Sequence, residues 1–223
     1  MLWDLFPDGV QIAVGDPRAG EPTGYPDEEA HVSSAVSSRR SEFFAGRECA
    51  RKAIADLGFQ PTVIGVHPDR SPIWPNGLIG TISHSSTLCL AAVARQKDDA
   101  LSIGLDIEPD SPLPEGMWDT ICTSNERTWL DGLPGGQSAR QALRIFTAKE
   151  SAYKAQYPLT QEFFEFEDLE ISFDGHDFFA MLQRSVPGFS RGTKLRGRQV
   201  IYNGHVVSAV CVGSDQFKKG AVS

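Results

Sequence analysis

Two long helical stretches, residues 33–57 and 138–157, are each followed by short apolar runs separated by turn residues. Strand-like runs cover Thr62 to Val66, Leu78 to Ser83, Leu88 to Ala94 and Leu101 to Glu108. A second set covers Leu169 to Phe173, Phe178 to Gln183, Arg198 to Tyr202 and His205 to Val212. Strands joined by tight turns pair antiparallel, because a parallel crossover needs a dozen residues or more. Asn203-Gly204 between apolar runs is the strongest hairpin signal in the chain. The pattern of a helix followed by antiparallel strands, used twice, predicts an α+β fold with helices covering one face of each sheet.

The first long helix carries an apolar stripe through Phe43, Ala50, Ile54 and Leu57, and Gly58 supplies its stop. The second is expected to run from Ser138 to Tyr157 and to end before Pro158. Thr123 and Glu126 have capping-box spacing and start a short helix between them. The proline-rich break Pro109 to Pro114 marks a boundary. It divides the chain into an N-terminal half (1–108), a linker (109–117) and a C-terminal half (118–223).

At 223 residues the chain can bury a full core, and its 40% hydrophobic and 22% charged composition is that of a globular protein. The net charge of −8 argues against nucleic-acid binding and against anionic membranes. No apolar run reaches the ~20 residues of a membrane span. The first residues, Met1 to Phe6, lack a basic start and carry an early acid, unlike a secretory signal, so a cytoplasmic protein is expected. Cys49, Cys89, Cys122 and Cys211 are widely spaced, which suits neither a zinc site nor a disulfide scaffold.

Chemistry concentrates in two segments. Gly104-Leu105-Asp106-Ile107-Glu108 reads as a buried strand, where Asp106 and Glu108 share a face about 6.6 Å apart. Phe146 to Lys154 reads as helix, with Glu150 and Lys154 one turn apart. Three carboxylates and a lysine, if they converge, suit a hard divalent cation with open positions for phosphate oxygens. A site drawn from both halves would lie at their interface. The bland readings are a strand end bending into solvent, and a capping box in which Glu150 pairs with Thr147. The second is countered by the helical look of residues 139–146 ahead of Thr147.

Arg40, Arg47 and Arg51 fall on one face of the first long helix. They are either a solvated basic face or a stripe whose mutual repulsion an anion relieves. Gly80 to Ser86 ends a strand in a hydroxyl-rich turn where Ser83 and His84 can donate to phosphate. No G-x-S-x-G elbow supports a nucleophilic serine there. Arg70 is the single cation of the stiff loop Pro68 to Pro75, either a surface turn or a ligand-lining element. His31, His67, His176 and His205 show no ligand spacing.

Together, Arg39-Arg40, Gly46-Arg47, Ala50-Arg51, Ser71 to Pro75, Gly80 to His84, Gly104 to Glu108 and Lys149 to Lys154 resemble the Sfp-type 4′-phosphopantetheinyl transferases. The branch most similar is that related to enterobactin synthase component D. The resemblance spans most of the chain, from Arg39 to Lys154. It implies two similar, pseudo-twofold-related α+β halves in a monomer. It implies transfer of the phosphopantetheine arm of coenzyme A to a serine of an apo acyl or peptidyl carrier protein, with release of adenosine 3′,5′-bisphosphate. By the same resemblance, Asp106, Glu108 and Glu150 hold magnesium. Arg40, Arg47, Arg70, Ser83, His84 and Asp106 contact coenzyme A, and Lys149 and Lys154 line the same site. Arg70 stands where relatives often carry lysine, and Thr81 where many carry serine.

Phosphoryl transfer needs positioning and charge neutralisation, which this set supplies. Glu150 and Lys154 are the catalytic candidates: Lys154 adds charge as the bond breaks, and Glu150 is favoured over Lys154 or a water on the metal as the proton acceptor. An acidic enzyme must meet an acidic carrier through a local basic or apolar patch, and Tyr157 to Phe166 is the candidate segment, with Phe163 and Phe164 either exposed there or part of the core. Two rival readings are a magnesium-dependent phosphohydrolase acting on coenzyme A and a non-catalytic carrier-binding module.

Overall fold

The computed structural model describes residues 1–19, 24–97 and 99–218. The chain forms two compact units. One is Asp8–Gln96; the other joins Met1–Pro7 to the chain from Lys97 onward.

In the first unit, β1 (Val10–Gly15) is followed by a short helix α1 (Pro26–Glu29) and the long helix α2 (Ser37–Asp56). Then come β2 (Gly65–Val66), β3 (Pro72–Ile73), β4 (Leu78–His84) and β5 (Cys89–Arg95). The strands β1-β5-β4 form an antiparallel sheet, and β2 pairs with β3. Ala45, Cys49, Ala50, Ala53 and Ile54 of α2 meet Ala91 and Val93 of β5 in the core. The helix stops as Gly58 predicts. Gly58 has φ of 82°, its N–H donates to Ala55 O at 2.8 Å, and the N–H of Phe59 reaches back to Ile54 O at 3.2 Å.

The second unit opens with β6 (Ser102–Pro109), followed by the helices α3 (Trp118–Ile121), α4 (Ser124–Asp131) and α5 (Ser138–Thr160). It closes with β7 (Leu169–Asp174), β8 (Asp177–Leu182), β9 (Lys194–Tyr202) and β10 (His205–Val212). All five strands are antiparallel, in the order β6-β10-β9-β8-β7. Asn203 and Gly204 turn β9 into β10 with φ of 47° and 71°. Thr123 caps α4, accepting from Glu126 N–H while the Glu126 carboxylate accepts from Thr123 N–H. The α+β expectation, a long helix on an antiparallel sheet in each unit, is met.

Two boundaries differ from expectation. Strand β6, read as the end of the first half, belongs to the second unit, where it pairs with β10 from Ser102↔Val212 to Pro109↔His205. The apolar run of β10 accepts a partner on each edge, and proximity in sequence gives no sign of which strand fills the outer place. The proline-rich stretch is accordingly a loop inside this unit. Leu113 is buried in its core, and the Leu113 N–H donates to Ala139 O.

Helix α5 also continues through Pro158 to Thr160. Proline this near a C-terminus removes a single hydrogen bond. The end is held by Gln161, in left-handed conformation with its N–H on Tyr157 O, and by buried Gln156, which accepts from Thr160 Oγ1 at 2.6 Å and donates to Glu162 O.

Candidate active site

The acid cluster lies wholly within the second unit. Gly104 brings it together: a Cβ there would stand 2.0 Å from Ser151 O and 2.6 Å from Ala155 N, so β6 touches the backbone of α5. Asp106 and Glu108 follow at steps of two on the same face of the strand. They are met by Glu150 and Lys154, one turn apart on α5. Lys154 Nζ donates to Asp106 Oδ1 at 2.6 Å, and Asp106 is 4% exposed.

Gly104→Ala is expected to cost about 1–3 kcal/mol, because the obstructing atoms are backbone and cannot rotate away. Gly116→Ala, with nothing within 4 Å of the added carbon, is the control, and thermal denaturation of both compares them.

Three carboxylates face one ammonium. Burial, reinforced by repulsion from Asp106, pushes the Glu108 carboxyl up to about 7; Lys154 opposes this and Glu150 adds to it. Burial also raises Glu150, against the pull of Lys154 and with a further push from Asp106. Among the described residues no three His, Cys, Asp or Glu side chains are closed into a metal-holding group. The donor set nevertheless fits a hard cation in kind: oxygen ligands only, mutually repelling, and costly to keep ionised without added positive charge.

The raised Glu108 has a consequence for stability. The folded chain holds its proton between pH 4.5 and about 7, where the unfolded chain has released it. Its contribution therefore falls as pH rises through that window and stays lost above it. Thermal melts of metal-free wild type and Glu108→Gln are expected to diverge from pH 5 to pH 8, in favour of the variant.

Lys149 departs from expectation. It is 1% exposed, with Nζ donating to Glu126 Oε2 at 2.7 Å, Ile121 O at 2.8 Å and Phe166 O at 2.9 Å. Lys149 is a structural tie, not a ligand contact. Glu126 also accepts from Ile171 N–H at 2.6 Å, so a residue legible only as a helix cap joins α4, α5 and β7. The Thr147 capping alternative also fails: Thr147 is fully buried inside α5.

In the first unit the arginines of α2 have separate duties. Arg51 donates to both oxygens of Glu28 at 2.8 and 2.9 Å, and Glu28, fully buried, also accepts from Ile64 N–H. The acid that relieves the arginine stripe comes from α1, a four-residue helix too short to show an apolar period. Arg47 is buried, stacked 3.4 Å from the Phe43 ring centroid, and donates to Ile64 O. Burial draws it down to about 10. Arg40 donates to Val32 O and lies over Phe44. Arg47 is thus engaged in the fold rather than presented as a surface cation.

Arg39, quoted in the motif but given no role, is the cation that joins His84. Arg39 Nη1 lies 2.7 Å from His84 Nε2, and Glu42 lies 3.6 Å from Nδ1. A guanidinium only donates, so Nε2 accepts and the ring proton sits on Nδ1 facing Glu42. Ser83 beside it is 6% exposed. Arg70 is exposed at the tip of the turn between β2 and β3, with φ of 73°, a left-handed conformation uncommon for a side chain of this size.

Comparison with known proteins places this pattern. Residues 27–94 match the 4′-phosphopantetheinyl transferase N-terminal domain, and residues 102–209 match the 4′-phosphopantetheinyl transferase superfamily. The chain belongs to the 4′-phosphopantetheinyl transferase superfamily. It is 35% identical to the 4′-phosphopantetheinyl transferase Npt of Nocardia iowensis, over 94% of this chain and 99% of that protein. Against the transferase Svp of Streptomyces mobaraensis it is 37% identical, over 85% and 79%. Enterobactin synthase component D of Salmonella typhimurium is 39% identical over 56% of this chain and 51% of its own. The protein is an enzyme, a phosphopantetheinyl transferase. The two matched regions fall inside the two units, with β6 in the second.

Proposed function

We propose that this transferase moves 4′-phosphopantetheine from coenzyme A to a serine of an apo acyl or peptidyl carrier protein, with magnesium, as a cytoplasmic monomer. The acid cluster carries the reading: Asp106, Glu108 and Glu150 gathered by the Gly104 contact, with Lys154 on Asp106. Asp106, Glu108 and Glu150 would hold the metal, which when bound supplies positive charge against the pyrophosphate oxygens.

The carrier serine Oγ bonds to the phosphorus that bears the pantetheine arm, and the bond from that phosphorus to the bridging oxygen of the pyrophosphate breaks. Adenosine 3′,5′-bisphosphate leaves with the electron pair. Glu150, one turn from Lys154 on α5, accepts the serine proton. Lys154 adds positive charge where negative charge develops. Arg39, held by His84, and Ser83, Arg40 and Arg70 offer donors for the remaining phosphates. Arg47 backs this group through its packing on Phe43. Phe163, 69% exposed and 5.3 Å from the Tyr157 ring, is the apolar contact for the carrier. Glu162, Glu165 and Glu167 flank it, so an acidic carrier would meet it through apolar surface rather than charge. Phe164 instead packs on the core beneath the Arg184 guanidinium.

The test is the intact mass of an apo carrier protein after incubation with the enzyme, coenzyme A and magnesium. A gain of one phosphopantetheine, absent without magnesium, is expected. Bisphosphate release without a carrier would favour a hydrolase, and bound, intact coenzyme A with no mass gain a binding module. Arg39→Ala is expected to raise KM for coenzyme A about tenfold or more, the loss of a charge-assisted contact. Arg40→Ala should act more on stability, and coenzyme A saturation curves separate the two.

A further inference from the structure

A polar seam runs through the apolar contact between α5 and its sheet. Asp106, Ser208 and Gln199 stand side by side on β6, β10 and β9, Ser208 facing both neighbours in register. All three are buried, in a face of β10 otherwise made of Val206, Val210 and Val212. Gln199 Nε2 lies 2.8 Å from Ser208 Oγ and 3.0 Å from Thr147 Oγ1 and Arg144 O, its two hydrogens shared among the three acceptors. Ser208 Oγ donates to Thr147 Oγ1 at 2.9 Å, and Arg144 Nε donates to Gln199 Oε1.

Beyond Leu143 and Ile145 near its start, α5 meets the sheet through the small residues Ala148, Ala152 and Ala155, all fully buried, so directional bonds add to apolar packing in setting its axial position. Hydrogen bonds from two strands to a single hydroxyl are satisfied at one axial position only. Thr147, Glu150 and Lys154 lie at i, i+3 and i+7, on one face of the helix. A slip of one residue shifts that face by about 1.5 Å, enough to cost on the order of a hundredfold in a transfer reaction.

The geometry points to Thr147, Ser208 and Gln199 as positioning residues: they fix the axial register of α5 so that Glu150 and Lys154 stand against Asp106 and Glu108. This rests on the function proposed above. It explains why hydroxyls and an amide occupy a seam that apolar residues could fill at little or no loss of stability.

The test is the double variant Thr147→Val/Ser208→Ala, with Thr147→Ser as the conservative control. In the double variant Gln199 keeps Arg144 O and Arg144 Nε as partners. Its metal-free melting temperature is expected to stay within a few degrees of wild type. Its kcat is expected to fall at least about tenfold, and the stabilisation that magnesium alone confers in thermal melts should shrink. Thr147→Ser should retain both. A double variant that turns over and responds to magnesium like wild type overturns the inference, as does a Thr147→Ser variant equally impaired. A wild type that neither modifies a carrier nor responds to magnesium overturns the functional reading itself, and the seam's role with it. Should the double variant fail to fold, Ser208→Ala alone, which leaves Thr147 and Gln199 bonded to each other, carries the same test with an expected loss of about threefold.

Discussion

Glu150→Gln is expected to lower kcat by at least about a hundredfold, the scale of removing a general base. It should do so without destabilising the protein. The carboxylate is held at a desolvation cost that outweighs the pull of Lys154, with Asp106 adding repulsion, so a neutral amide of the same shape relieves more than it loses. Metal-free Glu150→Gln should melt at or above the wild-type temperature and still bind coenzyme A through contacts elsewhere. Activity and stability moving in opposite directions distinguish a working residue from a structural one. A variant with wild-type turnover would remove Glu150 from the reaction, and one that unfolds would make it structural.

Its sequence neighbour should behave in the opposite way. Lys149→Met is expected to cost about 3–5 kcal/mol, because it strands the buried carboxylate of Glu126. In a chain of this size that lowers the melting temperature on the order of 10 °C. Any activity lost should return in step with folded protein at low temperature. The double variant Lys149→Met/Glu126→Gln should recover part of the loss. A glutamine carbonyl can still accept from one of the Thr123 and Ile171 N–H groups, which reach different oxygens of the carboxylate, and no unpaired charge remains. Equal losses in the single and double variants would show that the pair is not coupled.

Most of the architecture could be read from local pattern. The helix ends at Gly58, the box at Thr123, the hairpin at Asn203-Gly204 and the alternation that turns Asp106 and Glu108 to one side all depend on residues within a few positions of each other. So did the one-turn spacing that sets Glu150 beside Lys154 on α5. Signals of this kind survive in a one-dimensional reading because their partners are close in the chain.

Other features depend on partners brought from far away. Which sheet takes β6 was decided by β10, about a hundred residues on, and that choice put the acid cluster in one unit. The fate of each cation was decided the same way. Arg51 found Glu28 across 23 residues, Lys149 found Glu126 across 23, and Arg39 found His84 across 45. A charged side chain in a sequence shows what it can bind, but burial and its nearest counter-charge settle what it does bind. The sequence by itself determined most of the elements, their order and the chemistry available. The tertiary structure alone decided which charges stay for the reaction and which are consumed in holding the fold, because desolvation and pairing act through space.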